Sequence, residues 1–140
     1  MKKTVTLVVT LVLVLALALP VSALSSSPTN KYDSGLFEEP SGRSYEYSCS
    51  VSATTTLATA SMTYGKSGTN ISANISATVA YGAGNRYSVT KSDGEISNMS
   101  VSASIDNYVY INGSTYAGVI KNATGTFTIA STTVSTLYVS

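Results

Sequence analysis

Apolar and polar residues alternate with a period of two along most of this chain. From residue 45 to residue 53 the odd positions Tyr45, Tyr47, Cys49, Val51 and Ala53 are apolar, while Glu46, Ser48, Ser50 and Ser52 between them are polar. Beyond Leu57 the phase reverses, and Ala58, Ala60, Met62 and Tyr64 become the apolar set. Successive side chains of a strand point to opposite faces, so this period predicts half-buried β-strands; helical spacing fits none of it. A reversal of phase without Gly or Pro predicts a β-bulge, or a strand that passes between two sheets.

The pattern continues to the C-terminus. Gly65-Lys66-Ser67-Gly68 predicts a turn, and Ile71, Ala73, Ile75, Ala77, Val79 and Tyr81 mark one face of a long strand. After a turn at Gly82-Ala83-Gly84-Asn85, Tyr87 and Val89 mark a short strand, and Asp93-Gly94 predicts a hairpin, because both residues tolerate the positive φ of a type I′ turn. Met99, Val101, Ala103 and Ile105 form a further one-faced strand, and Asn112-Gly113 predicts a second hairpin between 108–111 and 116–120. Phe127 and Ile129 mark a strand after Gly125, and 134–139 closes the chain. These segments amount to about eight strands (range about 7–9) with frequent turns, which predicts an all-β, antiparallel β-sandwich. It is immunoglobulin-like in architecture only, since the Cys…Trp…Cys pattern is absent. A small β-barrel is the alternative closure.

The N-terminal segment breaks this pattern. Lys2 and Lys3 precede an apolar run from Val5 to Leu19, then Pro20 and the small residues of Val21-Ser22-Ala23. That is the layout of a secretory signal helix, 1–23, cleaved after Ala23, and the run is short of the roughly 20 residues a membrane-spanning helix needs. The product is therefore expected to be secreted. No Cys follows the cleavage point and the end, Leu137-Tyr138-Val139-Ser140, carries no anchoring signal, so attachment by lipid is not expected. The stretch 24–43, with Pro28, Pro40 and Ser-Gly pairs, predicts a flexible lead-in, and 44–140 a single β domain.

Composition narrows the function classes. The chain holds 8 basic and 7 acidic residues, and two of the basic ones lie in the leader, so the exported part has a slight acidic excess. Nucleic-acid binding by phosphate neutralisation is disfavoured. With no His and one Cys, neither a disulfide framework nor a zinc site is expected, and the common Ser and Cys triads lack their base. A carboxylate pair could serve a glycosidase, but Asp33, Glu38 and Glu39 lie in the lead-in and Asp93 and Glu95 flank a turn glycine. Asp93, Glu95, Asp106 and Asn107 could offer oxygen to calcium, although no EF-hand or repeat spacing supports it. No catalysis, cofactor or metal is expected. Cys49 shares the parity of Tyr47 and Val51, which predicts a buried thiol; an intermolecular disulfide is the alternative. Leu, Ile, Val and Phe are few, so the core is expected to be thin and supplemented by tyrosine, while a charge near zero argues against disorder.

Tyr108 and Tyr110 face away from Val109 and Ile111, and with Tyr116 they bracket the Asn112-Gly113 turn. Tyrosine offers flat apolar area with a polar tip, so Tyr108, Tyr110, Asn112 and Tyr116 are the candidate ligand-binding residues; plain cross-strand packing is the other reading. The expected function is a small, non-catalytic, secreted β-sandwich module that binds an extracellular glycan, a cell surface or a protein partner. Two alternatives stand beside it. The nearly uncharged alternating runs 44–64 and 69–81 suit a membrane-inserting hairpin or barrel; exposed strands poor in charge also suit self-association into an extracellular fibre or matrix. Five Asn-x-Ser/Thr sequons, at Asn70, Asn74, Asn98, Asn112 and Asn122, would matter only in a glycosylating secretory pathway.

Overall fold

The computed structural model describes residues 23–140; the expected signal segment lies outside them but for its last residue. Among the described residues ten strands run β1 Thr29–Glu38, β2 Ser44–Ala53, β3 Leu57–Tyr64, β4 Asn70–Tyr81, β5 Tyr87–Asn98, β6 Ser100–Asp106, β7 Tyr108–Ile111, β8 Ser114–Ala117, β9 Val119–Ile129 and β10 Thr132–Val139. They form two antiparallel four-stranded sheets, ordered β1-β2-β3-β6 and β10-β9-β4-β5, and a separate β7-β8 hairpin. The sheets face one another as a β-sandwich and do not close into a barrel.

The alternation dictates this arrangement. Each four-stranded sheet turns its apolar parity inward: Val51, Ala60, Met62 and Ala103 from the first meet Ile75, Val79, Ile120, Phe127 and Ile129 from the second, all buried. The opposite parity presents Ser and Thr to solvent, some hydrogen-bonded across strands, as in Ser48 with Thr63 at 2.8 Å and Ser61 with Ser102 at 2.9 Å. Alanine at many inward positions lets the sheets approach closely. Gly125 marks one close approach, where a Cβ would collide with Val51 Cγ2 and lie 3.1 Å from the Phe127 ring.

Several expectations need correction. The phase reversal near Leu57 is a hairpin, with Ala53 opposite Ala58 across a four-residue connection. Its turn needs no glycine, because Thr54 Oγ1 accepts from the N–H groups of Thr56 at 3.2 Å and Leu57 at 3.1 Å. The segment 24–43, expected to be a flexible lead-in, carries β1, which pairs with β2 along its whole length from Thr29↔Ala53 to Glu38↔Ser44. On the parity that faces the core, Lys31, Asp33 and Gly35 precede a lone Phe37, so no apolar stripe announced the strand. Asp93-Gly94 is no turn. Both residues lie inside β5, opposite Ile75 and Asn74 of β4, and Gly94 leaves room for the tip of the Asn74 side chain, which a Cβ would push aside. The real corner is Met99, half exposed with φ 70°, where the chain leaves one sheet at β5 and enters the other at β6. Gly125 likewise interrupts nothing, since β9 runs through it.

Candidate functional site

Loops and the small hairpin gather at the end of the sandwich where β4 finishes. Tyr81 closes β4 opposite Tyr87, the first residue of β5. The connection between them turns at Gly82 (φ 81°), where a Cβ would sit 2.9 Å from Tyr87 Cδ2. Only glycine lets that ring lie against the backbone.

The β7-β8 hairpin is held over this connection. Asn112 and Gly113 both have positive φ (50° and 79°), and Ile111 pairs with Ser114, which is the two-residue type I′ turn expected from the sequence. The base of the hairpin is clamped reciprocally: Gly118 N–H donates to Asn107 O at 2.9 Å, and Asn107 Nδ2 donates to Gly118 O at 2.7 Å. Gly118 tolerates no side chain, since a Cβ would lie 2.6 Å from both Ala80 O and Val79 Cγ1. From the other side Lys91 Nζ donates to Asp106 O at 3.0 Å and Tyr108 O at 2.8 Å and pairs with the Asp106 carboxylate. The Lys91 ammonium, with the Tyr108 N–H, holds that carboxyl below the usual Asp range. Asp106 is thus engaged internally, as is Asp93, which accepts from Ser104 N–H at 3.2 Å.

This anchoring splits the candidate tyrosines between two faces of the hairpin. Val109 is buried, and Tyr116, directly opposite it, shares its face. Tyr116 therefore packs against Tyr81 (centroids 5.8 Å apart, planes at 45°), which in turn packs against Tyr87 (5.6 Å, 35°). Tyr81, Gly82, Tyr87, Ile111 and Tyr116 line a pocket of about 210 Å³. Tyr108 and Tyr110 point the other way, 56% and 74% exposed, and lie outside it; Asn112 is exposed at the turn. Tyr81 and Tyr87 are not among the candidates that the sequence offers. They flank a glycine turn in register, a signal that becomes legible once β4 and β5 are known to pair.

Two larger, shallow grooves of about 550 Å³ each cross the outer face of the first sheet beneath Tyr32 and Leu36. The groove beneath Tyr32 is floored mostly by Ser and Thr, including hydroxyls already hydrogen-bonded across strands, and the one beneath Leu36 adds Glu46, Tyr47 and Tyr64. Cys49, near one of them, is buried with its thiol pushed up to about 12, by desolvation first and the Asp33 charge second. It is unreactive as a nucleophile at neutral pH. Among the described residues, no three Cys, Asp or Glu side chains converge as metal ligands. Comparison of the chain with protein-family models, with curated proteins and with solved structures found no match in any of the three.

Proposed function

We propose that this protein is a non-catalytic, secreted β-sandwich module that binds an uncharged glycan by stacking one sugar ring among Tyr81, Tyr87 and Tyr116. The observation that carries this reading is the convergence of those three rings, two exposed and one half-buried, on a pocket with no charged side chain in its lining. A sugar presents apolar C–H faces and polar edges, and tyrosine matches both with its ring and its hydroxyl. At about 210 Å³ the pocket is smaller than the roughly 300–1,000 Å³ that hold drug-sized ligands, and suits a single ring. Rigid strand ends and the clamped hairpin hold the rings in place before a ligand arrives, which lowers the ordering penalty of binding.

Tyr87→Ala and Tyr116→Ala, screened on an array of neutral glycans, should each weaken binding at least about tenfold, the scale of a lost aromatic anchor, with an unchanged far-UV spectrum. Retained binding in both variants would overturn the reading. Insertion of 44–81 into a membrane would require β2, β3 and β4 to leave the core, where they contribute Val51, Met62, Ile75 and Val79; no observation favours it.

A further inference from the structure

We propose that β1 is a docking edge for a second copy of this chain, the two β1 strands pairing antiparallel about Tyr32 so that Lys31 of each copy meets Asp33 of the other. The inference is independent of the aromatic pocket, which contains no β1 residue.

A sandwich of two open sheets has four edge strands, and three of them here are guarded: β10 by a bulge, and β5 and β6 by lying against each other. In β10 the register shifts between Thr133 and Ser135, a bulge that disrupts edge pairing. The open side of β6 is covered from β5: Asp93 takes the Ser104 N–H and Lys91 donates to Asp106 O. The pattern Lys-x-Asp at 91 and 93 is therefore engaged within the molecule. The same pattern recurs in β1 as Lys31-Tyr32-Asp33 and is not engaged in that way. Lys31 makes no ion pair among the described residues, and Asp33 accepts only the N–H of its own neighbour Ser34, at 2.9 Å. Strand β1 has ten residues, no proline and an unbroken register.

The register of the proposed pairing follows from the hydrogen bonds. Glu39 N–H donates to Arg43 O at 2.9 Å, which extends the β1–β2 ladder at an odd-numbered residue, so the even-numbered residues of β1, Ser34 with its N–H on the Asp33 side chain among them, direct their N–H and C=O groups to the open edge. A two-fold pairing centred on Tyr32 places Tyr32 opposite its counterpart and Asn30 opposite Ser34 as hydrogen-bonded pairs. Lys31 and Asp33 then fall at non-hydrogen-bonded positions, where facing side chains come closest. As Asp33 turns to the second copy's lysine, Ser34 N–H is freed to donate to Asn30 O across the edge. Centring on Asp33 would oppose two carboxylates, which is destabilising; centring on Ser34 would leave every charge unmatched. The pairing is isologous and closed, giving a dimer with a continuous eight-stranded sheet and not a fibre.

The unit to test is 24–140, the chain expected after cleavage at Ala23, which contains the core of both sheets. Sedimentation velocity over a concentration series should show a monomer–dimer equilibrium. Lys31→Glu and Asp33→Lys should each weaken it at least about tenfold, since each turns two attractive pairs into repulsive ones. An equimolar mixture of the two variants should regain dimer. Only in the mixed pair does the carboxylate introduced at position 31 of one chain meet the ammonium introduced at position 33 of the other, while the native Asp33 and Lys31 meet at the second contact. Circular dichroism establishes that both variants fold. Wild-type protein that stays monomeric at millimolar concentration overturns the proposal and leaves the edge to some other chain. Variants that dimerise as the wild type does, or a mixture that does not recover, also overturn it.

Discussion

Glu39 ties the β1–β2 turn to the end of β3 and the turn that follows it, 64–69. From the β1–β2 turn its carboxylate pairs with Lys66, accepts from Thr69 Oγ1 at 3.0 Å, and accepts from Tyr64 Oη at 3.3 Å. The hydrogen bond from Lys66 is the main reason its carboxyl titrates below the ordinary 4.5. A carboxyl depressed by folding contributes stability that is present above its unfolded pKa and is lost as pH falls through the folded value. Tyr64 behaves oppositely: desolvation and the Glu39 charge raise it to about 12, so its contribution is complete below pH 10 and is lost as pH rises toward that value. Urea midpoints measured across pH should fall on both limbs, and Glu39→Gln should flatten the acid limb. An acid limb of unchanged steepness would remove Glu39 from its cause. Cys49, only 2% exposed, should resist thiol reagents until the protein unfolds; Cys49→Ser, which puts a hydroxyl in an apolar site, should lose about 1–2 kcal/mol in denaturant titration.

The hairpins and crossings show which local rules the chain follows and where tertiary context overrides them. Asn112-Gly113 obeys turn chemistry, so the β7-β8 hairpin was legible from sequence. The β9–β10 turn is not, because Ala130 and Ser131 occupy positive φ (47° and 66°) without glycine or asparagine. Residues in that region are strained by about 1 kcal/mol each. Ser131→Gly should therefore raise stability by about 1 kcal/mol, seen as a melting temperature higher by roughly 4 °C; an unchanged or lower value would show that the turn is not strained. Gly125→Val should do the reverse, since its side chain would force Val51 and Phe127 apart, at about 1–3 kcal/mol or more. The inward-facing strands were readable because alanine, valine and isoleucine recur on one parity. Strand β1 and the outer half of β5 were not, since edge strands hold charges where a central strand holds apolar groups. Asp93-Gly94 misled for the same reason: its glycine answers the Asn74 side chain on the next strand, a neighbour that sequence does not reveal.

On the scale of the whole molecule, the apolar parity is used up in the core between the sheets, and the outer faces carry Ser and Thr with few charges. Little on those broad faces would hold a ligand firmly. The distinctive surfaces are the ring cluster at one end and the β1 edge at one side. Tyr116 was within reach of sequence reasoning, but its partners Tyr81 and Tyr87 come from a different hairpin, so the pocket exists only after the fold brings β5, β7 and β8 together. The most direct test of the glycan reading is NMR of protein with ring-labelled tyrosine, titrated with a panel of neutral mono- and oligosaccharides. Shifts confined to Tyr81, Tyr87 and Tyr116, with Tyr45, Tyr47 and Tyr64 unmoved, are the expected result. Shifts centred on Tyr108 and Tyr110, or none with any sugar in the panel, would contradict it.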